Sequence, residues 1–309
     1  MGGEAPDDDG LAREVGLERW LLATIGGSGP AGAAPAGLVA AASLPPADRE
    51  ALAAADGRRL GVYRALARAE VGATVAELLP RTAARLGSKL AASVDAYLDA
   101  GLPRSRFMRD VPFELVRAAG AAWARDPDLP AWLPELARFE LARFRAGAAP
   151  RDPRGPSELG LEPALGVRLC PTLCPCAFEH AVQRLPEDPA DRSEPDATAT
   201  ALACYRDADN DVVVLALSPL GLALLARLAL GGEPLGTAVA GACADVGTPL
   251  GPAPLEELAR LLADLAARGV VLGAEPASGP PLAELAPELA PALRGGRHGR
   301  WLLGGADGS

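Results

Sequence analysis

The chain reads as an α+β protein in which an all-helical N-terminal bundle precedes a winged-helix-like module, and three observations predict this. Between Pro46 and Gly147 apolar residues recur at spacings of three and four with no alternating stretch, the signature of packed helices. Residues 201–217, ALACYRDADNDVVVLAL, place two apolar runs on either side of the polar stretch Asp207 to Asp211, as a strand hairpin does. Three helical stretches and the short apolar run RGVVLGAE then follow, which completes the order of a winged-helix unit over residues 202–275.

The elements of that unit have legible ends. Ser218 with Pro219 at the first helical position opens one helix, and Gly231-Gly232 closes it. EPLGTAVAGACADVG supplies the second helix. In the third, Leu255, Leu258, Leu262 and Leu265 repeat at helical spacing, and Glu256, Glu257, Arg260 and Asp264 lie on the other face. Upstream, EPALGVRLCPTLCPCAFEHAVQRL supplies one or two further strands.

Towards the N-terminus, residues 1–10 are acidic and read as disordered. LAREVGLERWLLATI, residues 11–25, is an amphipathic helix, and GGSGPAGAAPAG after it is a flexible linker. The segment 148–160, rich in Pro, Gly and charge, marks a linker between a helical domain at 11–147 and the recognition module at 161–275. Residues 276–309 form a loose tail containing one short helical stretch.

Composition limits the function classes. The 309 residues are enough for two cores, and Lys plus Arg is 30 against 40 Asp plus Glu, a formal charge of −10. A reader of duplex DNA needs a positive face for phosphates, so this balance disfavours nucleic acid. No apolar run approaches the roughly 20 residues that span a bilayer, and MGGEAPDDDG lacks the order of a secretory signal. Five cysteines, an odd number, do not suggest a disulfide framework, and a reducing, cytoplasmic setting is expected.

The residues able to carry chemistry are few. Cys170, Cys174 and Cys176 in CPTLCPC share one face if the segment is a continuous strand, and with a fourth ligand from Cys204, Cys243 or His180 they could hold zinc or an iron–sulfur cluster. Buried packing is the plainer reading of the same thiols. Only two histidines, His180 and His298, are present, so a histidine-rich iron site is not expected on this chain. No nucleophile elbow accompanies Glu179-His180, and Gly26-Gly27-Ser28-Gly29 lacks the lysine of a phosphate loop. Trp132, Leu136 and Phe139 read as core. Tyr63 and Arg64 are candidates for a subunit contact, joined by Glu135 and Arg138, for which a solvated face with local ion pairs is the alternative.

Several short signatures in the helical half coincide with a known family. Trp20-Leu21-Leu22, Val62-Tyr63-Arg64, the Leu79-Pro80 break, Leu86-Gly87, Pro103-Arg104-Ser105 and LPAWLPELARFELAR (129–143) occur in the order found in the HvfC/BufC family, which this half resembles. The family has long been catalogued as a putative DNA-binding domain and includes the partner subunit of methanobactin biosynthesis. The resemblance implies a non-catalytic subunit that binds a ribosomally made precursor peptide. It would present that peptide to a barrel-shaped, multinuclear-iron oxygenase for cysteine modification. Iron would sit on the partner, with no cofactor on this chain. The C-terminal part would then be similar to a RiPP recognition element. Its peptide site would be the exposed edge Val212-Val213-Val214-Leu215-Ala216, with Leu258 and Leu262 on the facing helix. A DNA-binding transcriptional regulator, and a cysteine-ligated metal or redox protein, are the alternative readings.

Overall fold

The computed structural model describes residues 13, 16–17, 44–54, 57–100, 103–105 and 107–277. The expectations for residues 1–10, Trp20-Leu21-Leu22, the linker after residue 25, His298 and the tail beyond residue 277 lie outside them. The described chain is α+β, and it divides into two compact units, Met1–Ala119 and Gly120–Ser309.

In the first unit, α1 (Pro46–Ala53), α2 (Gly57–Leu78), α3 (Pro80–Leu86) and α4 (Lys89–Asp99) lead through a 3-10 turn at Met108–Asp110 into α5 (Val111–Arg125). Leu79 is the break between α2 and α3: Pro80 cannot continue the α2 hydrogen-bond ladder but is suited to the first turn of a new helix. The core collects Val71, Val75, Leu79, Leu86, Val94, Leu98, Val111 and Leu115. The Pro103-Arg104-Ser105 turn is held by one buried carboxylate. Glu114 accepts hydrogen bonds from the backbone N–H groups of Arg104 (2.8 Å) and Ser105 (2.9 Å) and from the Tyr97 hydroxyl (3.1 Å). Burial, then the neighbouring Glu114 charge, pushes the Tyr97 hydroxyl pKa far above its ordinary value, so it stays a donor.

The second unit holds α6 (Leu133–Ala148), β1 (Gly166–Leu169), β2 (Cys174–Phe178), β3 (Thr200–Arg206), β4 (Val212–Leu217), α7 (Pro219–Leu230), α8 (Leu235–Asp245), α9 (Pro252–Ala267) and β5 (Val271–Glu275). The hairpin, three helices and closing strand occur in the expected order. Their pairing adds what the sequence did not show. β2, β3 and β4 form an antiparallel sheet in that order, whereas β5 pairs with β1 in a separate ribbon. Strand alternation sends Ala203 and Tyr205 into the cluster built by α7, α8 and α9 around Leu224, Leu225, Leu228, Leu258, Leu262 and Leu265. Leu202 and Cys204 take the opposite face, where α6 packs on β2 and β3.

That packing relocates α6. The sequence places LPELARFELAR in the N-terminal domain, but this helix covers the sheet of the second unit and buries Leu136, Phe139 and Leu141. The division between units falls at residues 119/120, inside α5, and the segment 148–160 lies within the second unit. The segment is tied down: Ser157 donates its N–H to Leu272 (2.6 Å) and its hydroxyl to Ala274 O (2.7 Å). Gly273 makes the approach possible. Its φ of 106° suits glycine, and a Cβ there would come within 2.8 Å of Ser157. A Pro- and Gly-rich composition here marks an ordered strap rather than a spacer.

Leu224 is fully buried on α7 between the sheet and its companion helices. Leu224→Ala is expected to lower unfolding stability by about 3 kcal/mol through lost apolar contact and a residual cavity. Urea denaturation followed by circular dichroism measures this, and a loss below about 1 kcal/mol would show that the cluster is not tightly packed.

Candidate functional site

β4 forms one edge of the three-stranded sheet: among the described residues its strand partner is β3 alone. An edge strand carries a row of backbone N–H and C=O groups directed away from its neighbour. Val213, Leu215 and Leu217 are half-buried against the helix cluster, while Val212, Val214 and Ala216 alternate onto the α6 face.

Two contacts fix α9 beside this hairpin. Just past β4, the Ser218 hydroxyl bonds to Glu257 near the start of α9. At the other end, Arg268, which caps α9, donates to the Tyr205 hydroxyl (3.4 Å), and Tyr205 stands opposite Val213 in the ladder. These contacts tie the two ends of α9 to the hairpin, and the body of the helix packs on α7 and β5. Gly221 permits the close approach at the Ser218 end, since a Cβ there would meet Leu261 Cδ2 at 2.8 Å. Asp264 and then Tyr205 hold the Arg268 pKa above its ordinary value, and Asp264 makes a 2.8 Å ion pair with it.

The hairpin is braced at both ends. Ser218 caps α7 by accepting from Gly221 N (3.0 Å). At the turn, Asn210 takes the left-handed conformation with φ 71°, and Asp207 accepts from the N–H groups of Asp209 and Asp211. Arg151 reaches over from the strap to the Asp207 and Ala208 carbonyls and to Asn210 Oδ1 (3.1, 3.0 and 2.8 Å).

The sequence-derived candidates are not all placed here. Val212 to Ala216 form the edge strand itself. Leu258 and Leu262 are 1% and 6% exposed, buried in the helix cluster, and present no surface beside β4. Leu255, read from its spacing as part of the buried stripe, is instead 45% exposed, because the first turn of α9 extends beyond that cluster. Leu261 is half-buried against the cluster.

In place of a partner contact, Glu135 serves the interior of its own unit. Its carboxylate accepts from the backbone N–H groups of Glu179 (3.1 Å) and His180 (3.0 Å) and lies 3.3 Å from His180 Nδ1. Arg138 is half-buried with its guanidinium over the Phe178 ring at 5.8 Å, and burial pushes its pKa below the ordinary value. Tyr63, by contrast, is 61% exposed on α2 beside exposed Val62 and Leu66, with Arg64 half-buried.

The cysteines do not line up as a continuous strand would place them. Cys170 follows β1 and is separated from β2 by a turn, with its N–H bonded to Val270 O (2.8 Å) and its sulfur 3.0 Å from the Thr172 hydroxyl. Cys174 and Cys176 share the α6 face with Cys204, which stands opposite Cys174 in the ladder. Among the described residues no group of three or more His, Cys, Asp or Glu side chains is arranged to hold a metal ion. Hydrogen bonding with the Cys204 thiol, then burial, pushes the Cys176 thiol pKa well above its ordinary value.

Residues 170–266 match the family model described as the HvfC C-terminal domain. This stretch of the second unit is similar to the HvfC C-terminal domain. The match supports membership of the HvfC/BufC family, which the signatures of the helical half implied from other residues. Within its limits lie β2, β3, β4, α7, α8 and all but the last residue of α9, so the HvfC domain contains the edge strand and its flanking helix, while the β1–β5 ribbon falls outside. No curated protein matches the chain. Among the described residues, no helix is long and apolar enough to cross a membrane.

The buried thiols give a direct test of the packing around the HvfC sheet. At about pH 8, where a free cysteine is partly thiolate, Cys174, Cys176 and Cys204 are expected to resist iodoacetamide in the native protein and to react in concentrated guanidinium chloride. Mass spectrometry reads the labelling. Equal rates in the two states would contradict the packing of α6 on the sheet.

Proposed function

We infer that this chain acts as a partner subunit in an HvfB/HvfC-type system, a reading that the match to the HvfC C-terminal domain supports. We propose that this subunit captures a ribosomally made precursor peptide by strand addition to β4 and presents it to a multinuclear-iron oxygenase for cysteine modification. The oxygenase, rather than this chain, holds the iron. The observation that carries the proposal is the edge strand Val212–Leu217, whose strand partner among the described residues is β3 alone. An added strand supplies its own backbone hydrogen bonds, and the half-buried Val213, Leu215 and Leu217 offer apolar contact to its alternate side chains. Tyr63 with Val62 and Leu66 gives the first unit an exposed apolar surface suited to the oxygenase contact. Such a capture step requires no positive field, whereas a DNA regulator would have to seat α9, with Glu256, Glu257 and Asp264, against phosphates.

Co-purification with an HvfB-type iron protein, followed by measurement of mass and iron content, tests the partnership. A defined complex containing several irons is expected, and separate elution of the two proteins would overturn it. Strand addition has its own test. Along an edge strand, N–H groups point alternately inward and outward, so of Val213→Pro and Val214→Pro one removes an outward donor and leaves the ladder with β3 intact. That variant should remain folded by circular dichroism and lose at least about tenfold in precursor affinity. Undiminished binding by a folded variant would exclude the β4 edge.

A further inference from the structure

The proposed strand-addition site is set in a strongly acidic surrounding. Residues 170–266 contain fourteen Asp and Glu against five Arg, a formal −9, so the HvfC domain holds nearly all of the chain's −10. Around the edge itself, Asp207, Asp209 and Asp211 precede the start of β4, and Glu257, with Glu256 next to it in sequence, is held at its end by the bond to Ser218. The opposing cations are Arg151, Arg206, Arg260 and Arg268, of which Arg206, opposite Val212, donates to the Gly147 and Ala149 carbonyls. Much of this charge is already engaged: Asp264 pairs with Arg268, Glu257 bonds Ser218, Asp207 accepts backbone N–H groups, and Arg151 is spent on turn carbonyls. Asp209, Asp211 and Glu256 are exposed and, among the described residues, have no side-chain hydrogen bond or ion pair. These three carboxylates stand at the two ends of a strand six residues long, which spans about 20 Å.

We infer that the occupant of the β4 edge is a cationic extended segment, with Lys or Arg flanking a central stretch of about six β-prone residues. This rests on the reading of β4 as a peptide-binding edge. The central residues complete the ladder and place alternate side chains beside Val213, Leu215 and Leu217, and the flanking ammonium or guanidinium groups meet Asp209 and Asp211 at one end and Glu256 at the other. The same charge disfavours a second copy of this chain as the occupant, because two such edges would bring like carboxylates together.

The probes are three fluorescein-labelled synthetic peptides with one alternating Val/Thr core and either Lys, Gln or Glu pairs at both ends, measured by fluorescence anisotropy against the full chain. The Lys-ended peptide is expected to bind about tenfold tighter than the Glu-ended one at low salt, with the Gln-ended peptide between them. The preference should shrink as salt shortens the screening length. The triple variant Asp209→Asn, Asp211→Asn, Glu256→Gln changes exposed side chains only, and it should retain binding of the Gln-ended peptide while losing the preference for lysine. Equal binding of all three peptides overturns the charge inference and leaves strand addition standing. No binding by any of them overturns strand addition at β4 as well. Self-association of the chain, abolished by the folded proline variant, would assign the edge to a second copy and overturn the inference.

Discussion

Everything in the second unit depends on β3 being paired on both sides and covered on both faces. Its seven residues hydrogen-bond to β2 on one side and β4 on the other, and its side chains are divided between two separate layers. Ala203 and Tyr205 enter the cluster of α7, α8 and α9, while Leu202 and Cys204 are covered by α6. A strand that is apolar on both faces does not show the clean alternation of a half-exposed sheet, and TALACYR has none. The helix supplying the second cover comes from before the strap, so the sheet is completed by sequence about sixty residues upstream of it.

This arrangement explains which features were legible in the sequence. Local signals were reliable where one element determines its own ends: the Ser218 cap with Pro219, the Gly231 stop and the Asp207–Asp211 turn are each decided within a few residues. The sequence could not show which layer α6 joins, because its apolar stripe would serve a helical bundle or a sheet equally well. The strap was misread for a related reason. Its Pro and Gly content resembles a spacer, but Ser157 and Gly273 form a specific close contact that depends on β5, more than a hundred residues away.

The site was partly legible. Apolar character marked Val212 to Ala216 as a strand, but edge status is a property of the whole sheet. Leu258 and Leu262 face the helix cluster, which spacing could not tell, because it identifies a stripe without saying which neighbour it faces. Glu135 and Arg138 look like surface charges by spacing alone; only the arrival of Glu179 and His180 from the loop after β2 turns Glu135 into an internal acceptor. The CPTLCPC cysteines failed to align because Pro171 to Leu173 form a turn, which shifts Cys170 out of the strand and leaves Cys204 as the neighbour of Cys174.

The bracing of the β3–β4 hairpin has an entropic consequence. Arg151 grips its turn from the strap, and the Ser218–Glu257 contact fastens its other end to α9, so the edge has one register and little freedom to lose. A guest strand would meet a rigid template, and the ordering cost of association would fall almost entirely on the guest. Selectivity at such a template favours segments that are already extended in solution, so stiffness in the ligand counts alongside its side chains.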